Sequence, residues 1–248
     1  MIDLVASEWR KTFSLRLWWI MLLIGVVLVA LSTLPYLLLS GVAAEEGLNS
    51  LDLTQPEALT GLLSTIGSAS VVALLIGILS FTGEYRHGTV TDTFLTEPRR
   101  WKVVIAKCIV AAAMGVLLAL AAAVTVVSMV VLFLPDPHAP VSVSAVLGTT
   151  SGAAVVYALY AVLGVAVGTL ITNQLAAVVV GILWMLVLEG IIGGLLPSVA
   201  PWLPGGAAQA VVGGADQMSP AAGVALLLGY AVALAAVATG TTLRRDIT

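Results

Sequence analysis

Charged residues are scarce in this chain of 248 residues. They make up 9% of it, against roughly 25% in a soluble globular domain, whereas 60% of the residues are hydrophobic. A chain of this length holds about six apolar spans joined by short connections, so we expect no separate soluble domain. The composition therefore argues against an ordinary soluble enzyme and predicts an all-α polytopic membrane protein.

Cysteine and histidine are nearly absent as well. Cys108 is the only cysteine, which excludes a disulfide framework within one chain, and we interpret it as a small packed hydrophobic residue. The two histidines, His87 and His138, fall in connections on opposite sides of the predicted membrane. A metal site built on paired histidines is therefore not expected.

Lysine occurs only at Lys11, Lys102 and Lys107. None of the three follows the glycine spacing of a phosphate-binding Walker loop. We therefore expect this chain to be no enzyme and to bind no cofactor of its own. A nucleic-acid partner is not expected either.

Lysine and arginine are missing from every second connection between the apolar segments. All ten lie within 10–16, 86–107 and 244–245. The other connections carry acidic residues instead, namely Glu45, Glu46, Asp52, Glu57, Asp136 and Asp216. Because cytoplasmic loops retain Lys and Arg, we predict a multi-pass protein of a bacterial plasma membrane with both termini in the cytoplasm.

Six stretches are long and apolar enough to cross the hydrocarbon layer of a membrane. The predicted spans are 17–40, 60–82, 103–134, 143–171, 175–196 and 220–241. The third is too long for one perpendicular crossing, so we expect it to tilt or to continue into the cytoplasm. Lys107, near its start, is expected to snorkel to the inner headgroups. The whole of 1–248 is interpreted as one transmembrane domain.

Two further segments differ from both spans and ordinary loops. In 1–16, Ile2, Val5, Trp9 and Phe13 recur at helical spacing, which predicts a helix that lies in the inner membrane interface. The segment 195–219 is too apolar for an ordinary external loop and too rich in Pro and Gly to cross. We predict that it is extracellular and re-entrant, with its backbone groups covered by protein.

Small residues recur in the fourth predicted span. Gly148 and Gly152 flank Ser151, but this stretch lacks the glycine spacing and the nearby histidine of a serine-hydrolase turn. Close helix packing explains these glycines better, as it does Gly164 and Gly168. The two glycine pairs lie on nearly opposite faces of an ideal helix, so we expect this span to have neighbours on both sides.

The connection 83–102 is the most informative part of the chain. Gly88 permits a chain reversal, and Thr89 followed by Asp92 is typical of a helix start. Phe94 and Leu95 then provide apolar side chains. We predict a short helix that lies across the ends of two spans and is joined rigidly to the long third helix.

This segment, beginning with Glu84, Arg86, Gly88 and Thr89 and continuing through Leu95, Pro98, Arg99 and Lys107, resembles the permease subunits of the type 2 ABC exporter family. The six-span layout, the N-terminal helix and the segment before the last span resemble that family too, so the likeness covers nearly the whole chain. It implies that 83–102 is the coupling segment, which docks on a separate ATP-binding subunit. The residues implied in this contact or in its junction with the second span are Glu84, Arg86, Gly88, Thr89, Thr91, Asp92 and Leu95.

The resemblance also implies the partners and the substrate class. ATP and Mg²⁺ would bind to the partner subunit, and a second permease chain, identical or different, would complete the transporter. The substrate would be an amphiphile, such as a drug, an antibiotic or a lipid-like molecule, that is exported across the membrane. As an alternative, a charged segment of this kind also occurs in many membrane proteins merely as a cytoplasmic retention signal.

Glu189 is the one acid within a predicted span, and no Lys or Arg is available in the outer half of the protein to pair with it. One interpretation is a contact with a cationic substrate or a place in the translocation path; the other is a hydrogen-bonded acid near a helix end. Trp184, five residues earlier, faces either lipid or the path. Two further functional classes stay open, namely a proton-coupled secondary transporter that uses Glu189 and a membrane scaffold or immunity protein that does not pump.

Overall fold

The computed structural model describes residues 1–46, 53, 56–97, 99–133, 142–213 and 218–244. Within these ranges the regular elements are all helices, with no strand. Six of the described helices are long and apolar enough to span a membrane: Leu17–Ser40, Glu57–Arg86, Arg100–Phe133, Val143–Leu170, Gln174–Leu195 and Pro220–Gly240. The prediction of an all-α protein with six membrane-length helices is confirmed, and the protein is a multi-pass membrane protein by this measure.

The helices are numbered in chain order. They are α1 (Ile2–Ser14), α2 (Leu17–Glu46), α3 (Pro56–Ser64), α4 (Ser70–Arg86), α5 (Val90–Thr96), α6 (Arg100–Phe133), α7 (Val143–Leu170), α8 (Gln174–Leu183), α9 (Glu189–Leu195), α10 (Pro204–Val212) and α11 (Pro220–Arg244). The cytoplasmic position of the termini and the re-entrant depth of 195–219 stay predictions.

Helix α7 is the centre of the bundle and packs against α4, α6, α10 and α11. Its contact with α4 is close because a methyl group on Gly164 would collide with the carbonyl oxygen of Leu74, and one on Gly77 with that of Ala161. Gly152, on another part of α7, meets the backbone of Val211 in α10. Small residues thus give the fourth span neighbours on two sides. Gly148, which was predicted to take part, has open space around it.

The second span is interrupted, which its sequence does not reveal. Between α3 and α4 the chain makes a 3₁₀ turn, Thr65–Gly67. The Tyr157 hydroxyl of α7 satisfies the backbone there: it accepts from the Ala69 amide at 2.8 Å and donates to the Ile66 carbonyl at 2.5 Å. A broken helix is tolerated at membrane depth when a neighbouring side chain replaces the missing hydrogen bonds.

The fifth span is irregular too. Helix α8 passes into a π-helical turn, Trp184–Leu188, and α9 follows it directly. The predicted re-entrant segment contains a 3₁₀ turn, Ala200–Trp202, and the short helix α10, which is packed between α7 and α11. Trp202 is exposed, and its carbonyl accepts a hydrogen bond from the Tyr230 hydroxyl of α11 at 2.9 Å.

The N-terminal segment forms a helix, α1, that packs mainly against α6. Leu4 packs with Val90 of α5 and Val103 of α6, so this face of α1 points toward the protein. On its outer side, the rings of Trp9 and Phe13 are in tilted contact with centroids 4.7 Å apart, and Ile2 is exposed. An exposed aromatic and aliphatic face is what a helix in the membrane interface presents.

Candidate functional site

Four charged side chains form one ionic cluster at the end of the bundle that holds α1 and α5, which we call the basic end. They are Glu8 and Lys11 of α1, Glu84 of α4 and Lys107 of α6. The Lys107 ammonium donates to Glu8 Oε2 at 2.6 Å and to Glu84 Oε1 at 2.9 Å. The Lys11 ammonium donates to Glu8 Oε1 at 2.6 Å and to Glu84 Oε1 at 3.1 Å. Two acids and two bases alternate, so the cluster is formally neutral.

The centre of this ionic cluster is buried. Lys107 is 3% exposed and Glu8 is 4% exposed. Lys107 also donates to the backbone carbonyl of Ser80 at 3.2 Å, so its three ammonium hydrogens all have acceptors. Burying a charge is costly unless the charge is paired and hydrogen-bonded, and both conditions are met here. The arrangement fixes α1, α4 and α6 relative to one another.

The ionisation of the cluster follows from this pairing. Burial alone raises the pKa of the Glu8 carboxyl, but the Lys107 and Lys11 ammonium groups outweigh it and hold that pKa below its usual value. For Lys11, burial acts to lower the pKa, and the Glu8 and Glu84 carboxylates outweigh it and raise that pKa. Both groups are therefore charged at neutral pH.

The expectation that Lys107 snorkels to the headgroups is wrong. Its side chain turns inward because Glu8 and Glu84 lie on the neighbouring helices, within hydrogen-bond distance. Glu8 was not singled out from the sequence, although it is an acid that lies three residues before Lys11 on an amphipathic helix. An acid close to Arg10 and Lys11 was the available signal, and only the fold shows its partner on α6, 99 residues away.

Helix α5, in the predicted coupling segment, lies next to this cluster. The Gly88 φ angle is +69°, in the left-handed region that glycine adopts at no steric cost, and this residue turns the chain from α4 into α5. Thr89 occupies the position before the first helical residue, as predicted, but its side chain makes no capping hydrogen bond. Thr93 faces inward, and its hydroxyl accepts from Lys11 at 3.3 Å.

The outward side of α5 is open. Leu95 is 74% exposed, and Thr89 and Thr91 are exposed as well. The side chain of Asp92, which was predicted in the same contact, lies outside the described part of the chain. Arg86 is exposed, and its guanidinium donates to Gln174 Oε1 at 3.3 Å. This bond joins the end of α4 to the start of α8.

A cavity of about 650 Å³ opens beside the ionic cluster. The polar part of its wall includes Glu84 and Arg86, and the apolar part includes Met21, Leu79 and Met114. Its lining thus combines charged groups with hydrocarbon side chains. An amphiphile presents the same two kinds of surface.

Glu189 lies at the opposite end of the bundle, directly after the π-helical turn that contains Trp184. Its Oε2 atom accepts a hydrogen bond from the backbone amide of Gly205, in the first turn of α10, at 2.7 Å. A methyl group on Gly205 would collide with that oxygen, so the carboxylate would have to move if this residue carried a side chain. Trp184 is exposed, and its indole lies near the Glu189 carboxylate without meeting the geometry of a hydrogen bond.

The predicted site residues therefore form two groups rather than one. Glu84, Arg86, Gly88, Thr89, Thr91 and Leu95 follow one another around the basic end. Glu189 and Trp184 lie farther along the fifth span, and Glu189 lines a second cavity of about 760 Å³. The cavities beside the two groups have no lining residue in common. A single site that contains both is excluded.

Within the described residues no cluster of three or more His, Cys, Asp or Glu side chains is arranged to hold a metal ion. His87 is exposed at the end of α4, and His138 lies outside the described residues. Cys108 packs beside the buried side chains of Phe81 and Val104. No protein-family model and no curated protein matches this chain.

Proposed function

We propose that this chain is the membrane-spanning subunit of an ATP-driven exporter of the type 2 ABC kind, with ATP hydrolysed on a separate subunit. In this proposal α5 is the coupling helix that docks on the ATP-binding partner, and the substrate is an amphiphile such as a drug, an antibiotic or a lipid-like molecule. The arrangement that supports it best is a short helix with an open outer side that is anchored to a buried ionic cluster shared by three other helices.

The anchoring gives α5 a mechanical connection to the spans. The Thr89 amide donates to the Glu84 carbonyl at 3.0 Å, so the start of α5 is bonded to the last turn of α4. Thr93 of α5 is bonded to Lys11, which belongs to the ionic cluster. A displacement of α5 is thereby passed to α1, α4 and α6 together. Movement of these helices by a nucleotide-driven partner would open the path on the other side of the membrane.

Two further features support a transporter that contains more than this chain. Only 11% of an 18-residue apolar window in the fifth span, Gln174–Leu195, is buried within the chain, so most of this window faces lipid or a second permease chain. The cavity beside the ionic cluster has both charged and apolar walls, which suits an amphiphile that enters from the inner leaflet. The plasma-membrane location and the cytoplasmic termini belong to the same proposal.

The proposal is tested by changing the outer side of α5. We expect tagged protein purified from its native membrane in mild detergent to carry an ATP-binding subunit that mass spectrometry identifies. Leu95→Glu should abolish this co-purification because it places a charge in the proposed contact. Leu195→Glu is the matched control: Leu195 is 76% exposed at the opposite end of the bundle, and its variant should retain the partner.

Loss of the partner in both variants would indicate misfolding rather than a contact at α5. A folded parent that carries no ATP-binding chain, or retention of that chain by Leu95→Glu, would contradict the proposal. Thermal unfolding of each variant in the same detergent separates these cases.

A second candidate function is proton-coupled transport through Glu189. It is favoured by one observation, namely that Glu189 Oε1 is buried and has no hydrogen-bond partner among the described residues. Transport that persists after ATP depletion, stops with a protonophore and is lost in Glu189→Gln would support it. Transport that stops on ATP depletion while the proton gradient is held would exclude it.

A further inference from the structure

The cavity at the Glu189 end is large enough for a small organic molecule. Its volume is about 760 Å³, within the roughly 300–1,000 Å³ of small-molecule sites. Its wall combines the break in the second span with the first span, the central helix α7, the fifth span and the start of α10. Ser68, Tyr160 and Gln209 are among the polar residues that line it.

Three hydroxyl groups of this wall offer lone pairs rather than hydrogens. Ser32 and Ser64 each donate their hydroxyl hydrogen to a carbonyl oxygen in the preceding turn of their own helix, at 2.9 and 2.7 Å. Thr65 makes the same kind of bond at 2.6 Å. A hydroxyl that has used its one hydrogen in this way can only accept from a ligand. These three positions therefore favour a ligand that donates hydrogen bonds.

Two buried polar atoms of the cavity lining have no partner within the described part of the protein. One is the Tyr160 hydroxyl, on a side chain that is 1% exposed, and the other is Glu189 Oε1. Buried polar groups are hydrogen-bonded in the great majority of cases, so two such atoms in one cavity indicate a missing ligand or solvent. They lie on different helices, α7 and α9, and both line the same space.

The charge of the cavity is also one-sided. Glu189 is its acid, and no Lys, Arg or His is among the described residues that line it. All ten Lys and Arg residues of the chain lie in 10–16, 86–107 and 244–245. A positively charged ligand would supply the counter-charge that the protein does not.

We propose that this cavity binds a protonated amine, an inference that rests on the proposed function and narrows its substrate to amphiphiles with an amino group. The ammonium pairs with Glu189 Oε1, while Glu189 Oε2 keeps its bond to the Gly205 amide. The remaining ammonium hydrogens are donated to the Tyr160 hydroxyl and to the lone pairs of the wall. The amino group can belong to a free molecule or to a lipid headgroup, and the experiment separates the two sources.

The test measures binding alone, with the purified chain in nanodiscs of phosphatidylcholine and phosphatidylglycerol, which hold no primary amine. The probe is dansylcadaverine, a fluorescent primary amine, and its N-acetyl derivative is the neutral matched probe. Neither ATP nor a partner subunit is present. Failure of this test is therefore distinct from failure of the co-purification that tests the proposed function.

We expect the amine to bind at least about tenfold more tightly than its acetylated form, because acetylation removes the positive charge and leaves a single neutral amide N–H to donate. Glu189→Gln should remove this preference while keeping an oxygen for the Gly205 amide. Tyr160→Phe should weaken amine binding about threefold or more. Glu57→Gln, which changes an exposed acid of α3 outside the cavity, should leave binding unchanged.

Equal binding of the two probes would overturn the proposal, as would an equal loss of both in Glu189→Gln, since shape rather than amine recognition would then be at work. The absence of binding to the folded protein would overturn it too. Adding phosphatidylethanolamine to the nanodiscs identifies the source. Competition with the probe would assign the site to a lipid headgroup, and its absence would assign it to a free amine.

Discussion

Glu8 and Glu189 both place carboxylate oxygens in the interior of the protein, but the two carboxylates differ in their partners. Glu8 accepts from two lysines, and both of its carboxylate oxygens are used. Glu189 has one oxygen on the Gly205 amide and the other without a partner among the described residues. The first acid completes a neutral cluster, whereas the second leaves an uncompensated group in a cavity.

The difference teaches how to separate structural acids from ligand-binding ones. A group whose hydrogen bonds and charge are satisfied within the protein has nothing left for a ligand, so the ionic cluster stabilises and connects. A group whose hydrogen-bonding capacity is left over in an open cavity can satisfy it with a ligand. The same distinction separates Tyr157, which is bonded to the broken second span, from Tyr160, which is not.

The largest effect is expected where the ionic cluster is broken. Lys107→Met leaves Glu8 and Glu84 with Lys11 as their only cation, and removing one partner of a buried pair costs about 3–5 kcal/mol of stability. We expect a large drop in the thermal unfolding midpoint of the protein in detergent, and tryptophan fluorescence measures this midpoint. Lys102→Met is the matched control, because its pair with Glu97 is looser, at 3.6 Å, and more exposed.

The double variant Glu8→Gln, Lys107→Met sharpens this prediction. It removes an acid together with a base, so it should be destabilised by less than the sum of the two single changes. Additive losses would show that the four side chains do not act as a cluster.

An intermediate effect is expected at the two buried tyrosines. Tyr157→Phe leaves the Ala69 amide and the Ile66 carbonyl without their partner, which costs about 1–3 kcal/mol. Tyr160→Phe removes a hydroxyl that has no partner in the described structure, so the free energy of unfolding should stay within about 0.5 kcal/mol of the parent or rise. Equal losses in the two variants would contradict the contrast between them.

The smallest effect on stability is expected from lowering the pH. The folded-state pKa of Glu8 lies below its unfolded value of about 4.3, so the stability from its ionised form is complete above that pH and is lost as pH falls through the folded pKa. The difference in unfolding midpoint between the parent and Glu8→Gln should stay constant from pH 7 to about 5 and shrink below about 4.3. A difference that grew on acidification would show the opposite sign. Lys11, with its raised pKa, contributes stability that is lost only at alkaline pH.

The sequence was sufficient for what depends on hydropathy and local turns. Six apolar stretches became six membrane-length helices because a run of that length and composition has one way to satisfy its backbone in lipid. The turn at Gly88 was also predictable, since glycine before Thr89 marks a reversal and a helix start. These features depend on residues that are neighbours in the chain.

The features that were missed depend on residues far apart in the chain. The break at Thr65–Gly67 is satisfied by Tyr157, which lies 91 residues after Ile66. Lys107 turned out to be buried because Glu8 is beside it, and position along a helix does not tell which neighbour its face meets. The bond from Glu189 to Gly205 links a span to a segment whose packing no periodicity specifies. Each of these needed the tertiary arrangement.

The Tyr157 hydroxyl bridges the two parts of the second span through the Ile66 carbonyl and the Ala69 amide. Toward the basic end, the glycine contacts of α4 with α7 pack these two helices closely together. The 17 residues of α4 extend over about 25 Å. On the other side of the 3₁₀ turn, α3 is a separate short helix. The connection between α3 and α4 forms part of the wall of the Glu189 cavity through Thr65, Gly67 and Ser70. A change in the angle between α3 and α4 would therefore change the width of that cavity.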